Sequence, residues 1–325
     1  LAKITMVEAI AMAHGWEMEH DASVVVIGQD VGANGGVFRA TAGLQQRFGK
    51  ERVQDTPLAE ATIAGMSVGM ATHGLKPVAE IQFMGFMYPA LDQIVNHMTR
   101  MRYRTRGRLT CPVVMRMPHG GGIHAPEHHS ESTEAMLCHI PGLRVVCPSS
   151  PARAYGLLLA AIRDPDPVIF LEPVRLYRAM RQEVQDDGRA LPLDASFVLR
   201  AGDDVTIVTW GATTLETLRA AADLDARGIG AEVIDLATLS PIDIETILES
   251  VAKTGRLVIA HEAARNAGVG AEVAALVCEH GLYDLEAPIQ RVTGYDTVMP
   301  LFKLELDYMP SARRIVDAVL LTLEL

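Results

Sequence analysis

Short β-branched runs alternate with longer stretches of helical apolar spacing through the first half of the chain. Residues 23–28, 77–83, 112–117, 143–148 and 166–172 read as strands, and 57–73, 86–103 and 151–163 as helices. Ser150 before Pro151 supplies a capping hydroxyl and then a proline at the first helical position. Such alternation predicts a mostly parallel sheet flanked by helices. The pattern lapses over 180–204, where charges and turn residues dominate. It resumes with strands at 205–210, 231–236 and 256–261 and helices near 213–227, 243–252, 268–280 and 310–323. The expected architecture is α/β in two domains, 1–180 and 204–325, joined by a linker over 181–203.

Composition narrows the function without changing that picture. The chain has 325 residues, 49% hydrophobic and only 5% aromatic, which suits the small aliphatic packing of α/β proteins. No run approaches the apolar length of a membrane span, so no membrane partner is expected. A formal net charge of −11 argues against nucleic acid, which needs a basic footprint. The alternating arginines Arg100, Arg102, Arg104, Arg106 and Arg108 are the one basic cluster, either a phosphate or acidic-partner site or a solvated helix end. The amphipathic, acid-bearing LAKITMVEAIAMAHGWEME is unlike a signal peptide, and its start without Met is read as processed. Cys111, Cys138, Cys147 and Cys278 lack metal-ligand spacing and suggest a reducing, cytoplasmic setting, or a mitochondrial matrix in a eukaryote.

Three segments carry candidate chemistry. In Asp55-Thr56-Pro57-Leu58-Ala59-Glu60, Thr56 can cap a helix that Pro57 begins, placing Glu60 near the end of its first turn. Glu60 reads equally as an acid placed to favour the helix dipole or as a carboxyl kept ready to donate a proton by its apolar neighbours. Ala61, Gly65 and Gly69 recur every four residues; each glycine costs about 1 kcal/mol relative to alanine, which points either to another helix approaching closely, as at a subunit interface, or to close packing within the domain. In PHGGGIHAPEHHSES, His119, His124, His128 and His129 stand with Glu127 and Glu131. The spacing fits no zinc motif, and a glycine-rich loop offers ligands no fixed scaffold, so acid–base work or anion binding reads better than metal binding. The loop GQDVGANGGVF has glycines but neither dinucleotide nor Walker spacing.

Taken together, GQDVGANGGVF, DTPLAEATIAG, PVAEIQFMGF, DQIVNH, RYRTRGR, GGGIHAPEHHSES, PGLRVVCPSSP, AAIRDPDPVIFLEP and VTGYDT resemble the beta subunit of the decarboxylating component of 2-oxo acid dehydrogenases. The resemblance runs from about residue 4 to the C-terminus. It implies a thiamine pyrimidine-binding-type domain, a parallel sheet flanked by helices, followed by a transketolase C-terminal-like α/β domain. It implies oxidative decarboxylation of pyruvate or a branched-chain 2-oxo acid with thiamine diphosphate, and acyl transfer to a lipoyl domain. The acetoin dehydrogenase beta subunit and a non-catalytic scaffold of the same fold are the alternatives.

By the same resemblance, Glu60 would hydrogen-bond the aminopyrimidine ring nitrogen, and Leu58, Gln82 and Phe86 would line the ring's pocket. His129, with His128 beside it, would stand near the acyl-accepting lipoyl arm. The implied partners are an alpha subunit, in an assembly of two alpha and two beta chains, and a lipoyl-bearing dihydrolipoyl acyltransferase. Three departures stand out. Gln29 replaces a frequent glutamate, leaving Asp30 to relay protons there. A potassium ion held on backbone oxygens around Val113, Ala161, Ile162, Asp164 and Asp166 meets an altered loop at Pro165 and Asp166. The Gly-Asp-Gly motif that holds magnesium and diphosphate is absent, and the asparagines Asn34, Asn96 and Asn266 follow no such motif. The alpha subunit is therefore expected to hold both.

Overall fold

The computed structural model describes residues 3–324, so the expected processed start and the outermost domain limits at 1 and 325 lie outside the described residues. Two compact units are present. The first runs to His119 and takes up Met136–Leu193; the second combines Gly120–Ala135 with the chain from Asp194 onward.

In the first unit the strands are β1 (Val24–Gly28), β2 (Val53–Asp55), β3 (Lys76–Glu80), β4 (Val114–His119), β5 (Arg144–Val146) and β6 (Val168–Pro173). They lie side by side in the order β5-β6-β4-β3-β1-β2, every neighbouring pair parallel. The helices α1 (Met6–His20), α2 (Glu60–Thr72) and α3 (Pro151–Arg163) are its principal ones. Helix α3 begins as its sequence predicts, with Ser150 Oγ accepting from Arg153 N–H and Pro151 inside the first turn. Strands β1, β4 and β6 are buried at every position, as expected of a sheet covered on both faces.

Two expectations are corrected here. The predicted helix at 57–73 starts only at Glu60, because Thr56 N–H continues the sheet by donating to the Gly28 carbonyl at 2.9 Å, and Pro57 keeps Thr56 extended. The predicted helix at 86–103 is three short turns of different pitch, Met84–Ala90, Gln93–Met98 and Met101–Arg104, with Pro89 inside the first.

The second unit has β7 (Phe197–Arg200), β8 (Val205–Thr209), α4 (Thr213–Asp225), β9 (Ala231–Asp235), α5 (Ile244–Thr254), β10 (Leu257–Ala264), α6 (Val269–Gly281), β11 (Gln290–Gly294) and α7 (Ala312–Leu323). Its sheet runs β11-β10-β8-β9-β7, parallel except for the antiparallel edge strand β7. Its core gathers Val205, Ile207, Leu224, Val233, Val258, Ile315 and Val319. The residues expected as a linker are divided between the units. Gln182–Glu183 pair with Lys3–Ile4, and Gly188 N–H donates to Tyr155 Oη, whereas Phe197–Arg200 is β7. No helix among the described residues is long and apolar enough to cross a membrane.

Candidate functional site

Parallel pairing decides which loops meet in the first unit. Gly28 of β1 stands in register with Asp55 of β2 on one side and Glu80 of β3 on the other. The chain leaving these three strand ends carries Gln29 and Asp30, Leu58 and Glu60, and Gln82 and Phe86. All emerge at one carboxyl edge, where parallel α/β sheets hold their ligands. Helix α2, with Glu60 as its first residue, packs against the turn Met84–Ala90 that bears Phe86. Gln82 Nε2 lies 3.5 Å from the Gln29 carbonyl and 3.4 Å from the Asp30 carboxylate. Phe86 meets Phe83 edge-on at 5.6 Å and keeps part of its surface open. Leu58 is 68% exposed, and Ala61, Met66 and Gly69 of α2 also face outward. The small-residue ridge therefore does not owe its glycine at 69 to packing within the unit, since a Cβ there would meet nothing within 4 Å.

In the loop GQDVGANGGVF two N–H groups that a phosphate could use are turned inward. The Gly32 and Ala33 N–H groups of this loop donate to the Asp55 carboxylate at 2.6 and 3.3 Å. A cleft of about 500 Å3 beside it is lined by Ala33, Gln45, Lys50, Glu51, Val53, Gln54 and Asp55, and none of the predicted site residues lines it.

His124, His128 and His129 belong to the second unit. The loop is held by acids of that unit. Glu262 accepts from Gly121 N–H at 2.9 Å and from Ser132 Oγ at 2.8 Å. Glu305, 1% exposed, accepts from Gly122 N–H at 2.7 Å and His124 N–H at 3.1 Å, and its carboxylate lies 2.7 Å from His124 Nδ1. The glycine run, expected to leave the histidines without a scaffold, is what permits one. A Cβ on Gly120 would run into the Glu262 carboxylate, and one on Gly121 into Met299. Beyond the clamp, Glu127–His129 forms a single tight turn with His128 exposed and His129 half-buried. Among the described residues no group of three or more His, Cys, Asp or Glu is placed to hold a metal ion.

Sequence comparison adds what geometry alone does not. Residues 2–180 match the family "Transketolase, pyrimidine binding domain" and residues 195–315 "Transketolase, C-terminal domain". The pyruvate dehydrogenase E1 component subunit beta of Bacillus subtilis is 48% identical over 324 residues, covering 100% of both chains. That of Acholeplasma laidlawii is 51% identical over 315 residues, covering 97% of this chain and 96% of its own. The chain belongs to this E1 beta-subunit family. Among solved structures, a split-gene transketolase described as an inactive beta4 tetramer superposes with a TM-score of 0.80 at 28% identity, covering 100% of this chain and 99% of its own.

This E1 beta-family chain also holds buried acids that the strand patterns hid. Arg116, fully buried, donates Nη1 to Glu80 at 2.8 Å and Nε to Glu172 at 2.6 Å, and Tyr177 Oη donates to Glu172. Burial opposes the Arg116 charge, yet Glu172 and Glu80 hold the guanidinium more firmly protonated than usual. Burial raises Glu80, with Arg116 offsetting part of the shift. The signal was one charge inside each of three apolar runs, PVAEIQF, PVVMRM and VIFLEP. In the second unit, burial pushes Glu134 up to about 7, with Trp210 Nε1–H donating to it at 3.2 Å as partial compensation. Trp210 in turn stacks on the buried His261, ring centroids 4.7 Å apart.

The residues expected around a potassium ion have partners within the chain. The Val113 carbonyl accepts from Val168 N–H at 2.9 Å, and that of Ala161 from Asp164 N–H at 3.3 Å. Asp164 pairs with Arg144 and Asp166 with Arg102. Ile162 is buried in α3.

Proposed function

We propose that this chain holds and activates the aminopyrimidine end of thiamine diphosphate in a 2-oxo acid dehydrogenase whose substrate is pyruvate. The substrate follows the family: the relatives sharing about half of its residues are named for pyruvate. What carries the site reading is the convergence of Leu58, Glu60, Gln82 and Phe86 at three adjacent strand ends. A flat heteroaromatic ring needs an apolar or aromatic face and a polar edge, and these four residues supply both. When bound, the cofactor supplies the carbanion nucleophile and the electron sink for decarboxylation. Glu60 holds a proton at the ring nitrogen, Gln82 orients the ring edge, and Phe86 and Leu58 cover its faces. His129 acts at acyl transfer to the lipoyl group of a dihydrolipoyl acyltransferase, where an imidazole can pass a proton near neutral pH.

The same strand ends explain why a partner is needed. Asp30, Asp55 and Glu60 make this edge acidic, which suits an aminopyrimidine and repels a diphosphate. We assign magnesium and diphosphate to an alpha subunit, in an assembly of two alpha and two beta chains. Val298, Leu301, Phe302, Leu304 and Leu306 are each more than half exposed within nine residues, the kind of apolar patch that another chain covers. In this reading residues 1–180 carry the ring site and 204–325 support assembly, with 181–203 between them, in a cytoplasmic enzyme. A potassium ion on backbone oxygens around Val113, Ala161, Ile162, Asp164 and Asp166 would serve structure and not chemistry, since the Val113 and Ala161 carbonyls each accept one N–H and keep a second lone pair.

The test is reconstitution. The chain alone should be inactive, and thiamine-dependent turnover of pyruvate should appear on adding an alpha subunit. Glu60→Gln should cut that turnover by about a hundredfold or more. His129→Ala should depress acyl transfer while sparing cofactor affinity. Turnover of Glu60→Gln within a few-fold of wild type would remove the activating role.

A further inference from the structure

We infer that Glu262 and Glu305 are positioning residues for the histidine loop, and that Glu305 fixes the placement of His129 at acyl transfer. The inference rests on the function proposed for His129 and deepens it. The loop from Gly120 to Ser132 is closed at its base by Gly120 N–H donating to the Glu131 carbonyl at 2.9 Å. Glu262 reaches both of its shoulders at once, through Gly121 N–H and Ser132 Oγ. Glu305 then takes the next part of the loop, Gly122 N–H and His124 N–H, and its carboxylate also meets His124 Nδ1.

Three features show that this is a built support. Both carboxylates are buried, 7% and 1% exposed, so their lone pairs are satisfied by the loop in place of water. The loop has no side-chain bulk where they approach, since a Cβ on Gly120 would collide with Glu262. His124 sits at φ +60°, a left-handed conformation that is costly for a non-glycine residue and is sustained here by its two bonds to Glu305. Five residues further on, His129 N–H donates to the Pro126 carbonyl and Ser130 N–H to that of Glu127, so the turn bearing the histidine is rigid in itself. Its position then depends on where the clamp holds the chain leading to it.

A carboxylate accepts from two N–H groups and an imidazole together; an amide must turn its NH2 toward one of those donors. Glu305→Gln should therefore release Gly122 or His124 with little change in volume. In the reconstituted enzyme it should speed amide hydrogen exchange across 121–124 and lower kcat for acyl transfer to a lipoyl domain about tenfold or more. Cofactor Kd and the KM for the 2-oxo acid should move less than about twofold. Glu305→Asp should recover part of the loss. Combining Glu305→Gln with His129→Ala should cost no more than His129→Ala alone, because both act on one group.

Unchanged exchange at 121–124 would overturn the clamp whatever the activity. Faster exchange with undiminished acyl transfer would overturn its link to His129. If His129→Ala itself left acyl transfer intact, the failure would lie with the proposed role of His129, and the exchange data would still decide the clamp. Should Glu305→Gln assemble poorly, Ser132→Ala gives a milder probe: it removes one bond to Glu262 and should loosen the far shoulder, 130–132, and unchanged exchange there would count against the clamp.

Discussion

In the first unit Glu80 and Glu172 are buried on either side of Arg116; in the second, Glu134, Glu262 and Glu305 are buried against N–H groups, a hydroxyl and an imidazole. The first arrangement balances charge with charge across three neighbouring strands and carries a tyrosine hydroxyl as a further donor. Such a cluster is costly to break. The second arrangement satisfies hydrogen bonds without fully balancing charge. Glu134 has no cationic partner among the described residues, and Glu262 adds to the pressure on it. Polar burial thus balances charge with charge in the frame of one unit and satisfies hydrogen bonds around a loop in the other.

The largest break in that contrast should come from Arg116→Met, which strands two buried carboxylates. It should lose about 3–5 kcal/mol by urea titration at neutral pH. Adding Glu80→Gln and Glu172→Gln should restore much of that, whereas a single loss that persists would deny the pairing its importance.

Next in size is the pH response of Glu134. Its folded value of about 7 lies above the ordinary 4.5, so its contribution is fully present below pH 4.5 and is lost as pH rises through 7. The loss approaches about 3 kcal/mol, and Glu134→Gln should flatten it. Urea midpoints of the two proteins at pH 5 and pH 8 make the comparison; parallel slopes would refute it.

The buried histidines of the first unit pull the other way. Burial lowers His14 to about 3, with Arg116 adding to the effect, and lowers His119 to about 4. Their contribution is present above pH 6.5 and falls as the unfolded chain takes up protons below it. Each should cost about 1 kcal/mol over the first full unit below that point, and His119→Gln should remove its share of the slope. The smallest effect should be at the exposed pair of Arg102 and Asp166. Arg102→Ala should leave the urea midpoint within error, because solvent screens such pairs.

How much of this was legible in the sequence depended on the range of the interaction. The β-branched runs, Ser150-Pro151 and the spacing of α4, α5 and α7 are local signals, and the elements follow them closely. The start of α2 was misplaced because the decisive contact, Thr56 N–H to the Gly28 carbonyl, joins residues far apart in the chain. The gathering of Glu60, Gln82 and Phe86 needed strand order, which periodicity does not give. Arg116, Glu80 and Glu172 were visible as charges inside apolar runs, but only register makes them a cluster. Glu305 lies in LFKLELDYM with nothing around it to mark it as buried, so no local pattern would have found it.

A graft of residues 120–132 onto another scaffold would carry the histidines and leave their shape behind. Gly120 and Gly121 sit tightly here, and what stiffens the glycine run is contributed from the end of β10 and from the short turn at Glu305–Tyr308. Glu262 spans a fixed gap between Gly121 and Ser132, so inserting or deleting one residue between them would detach a shoulder. Loop exchange among relatives would therefore work as a three-part module, with the length between anchors preserved and both acids carried along.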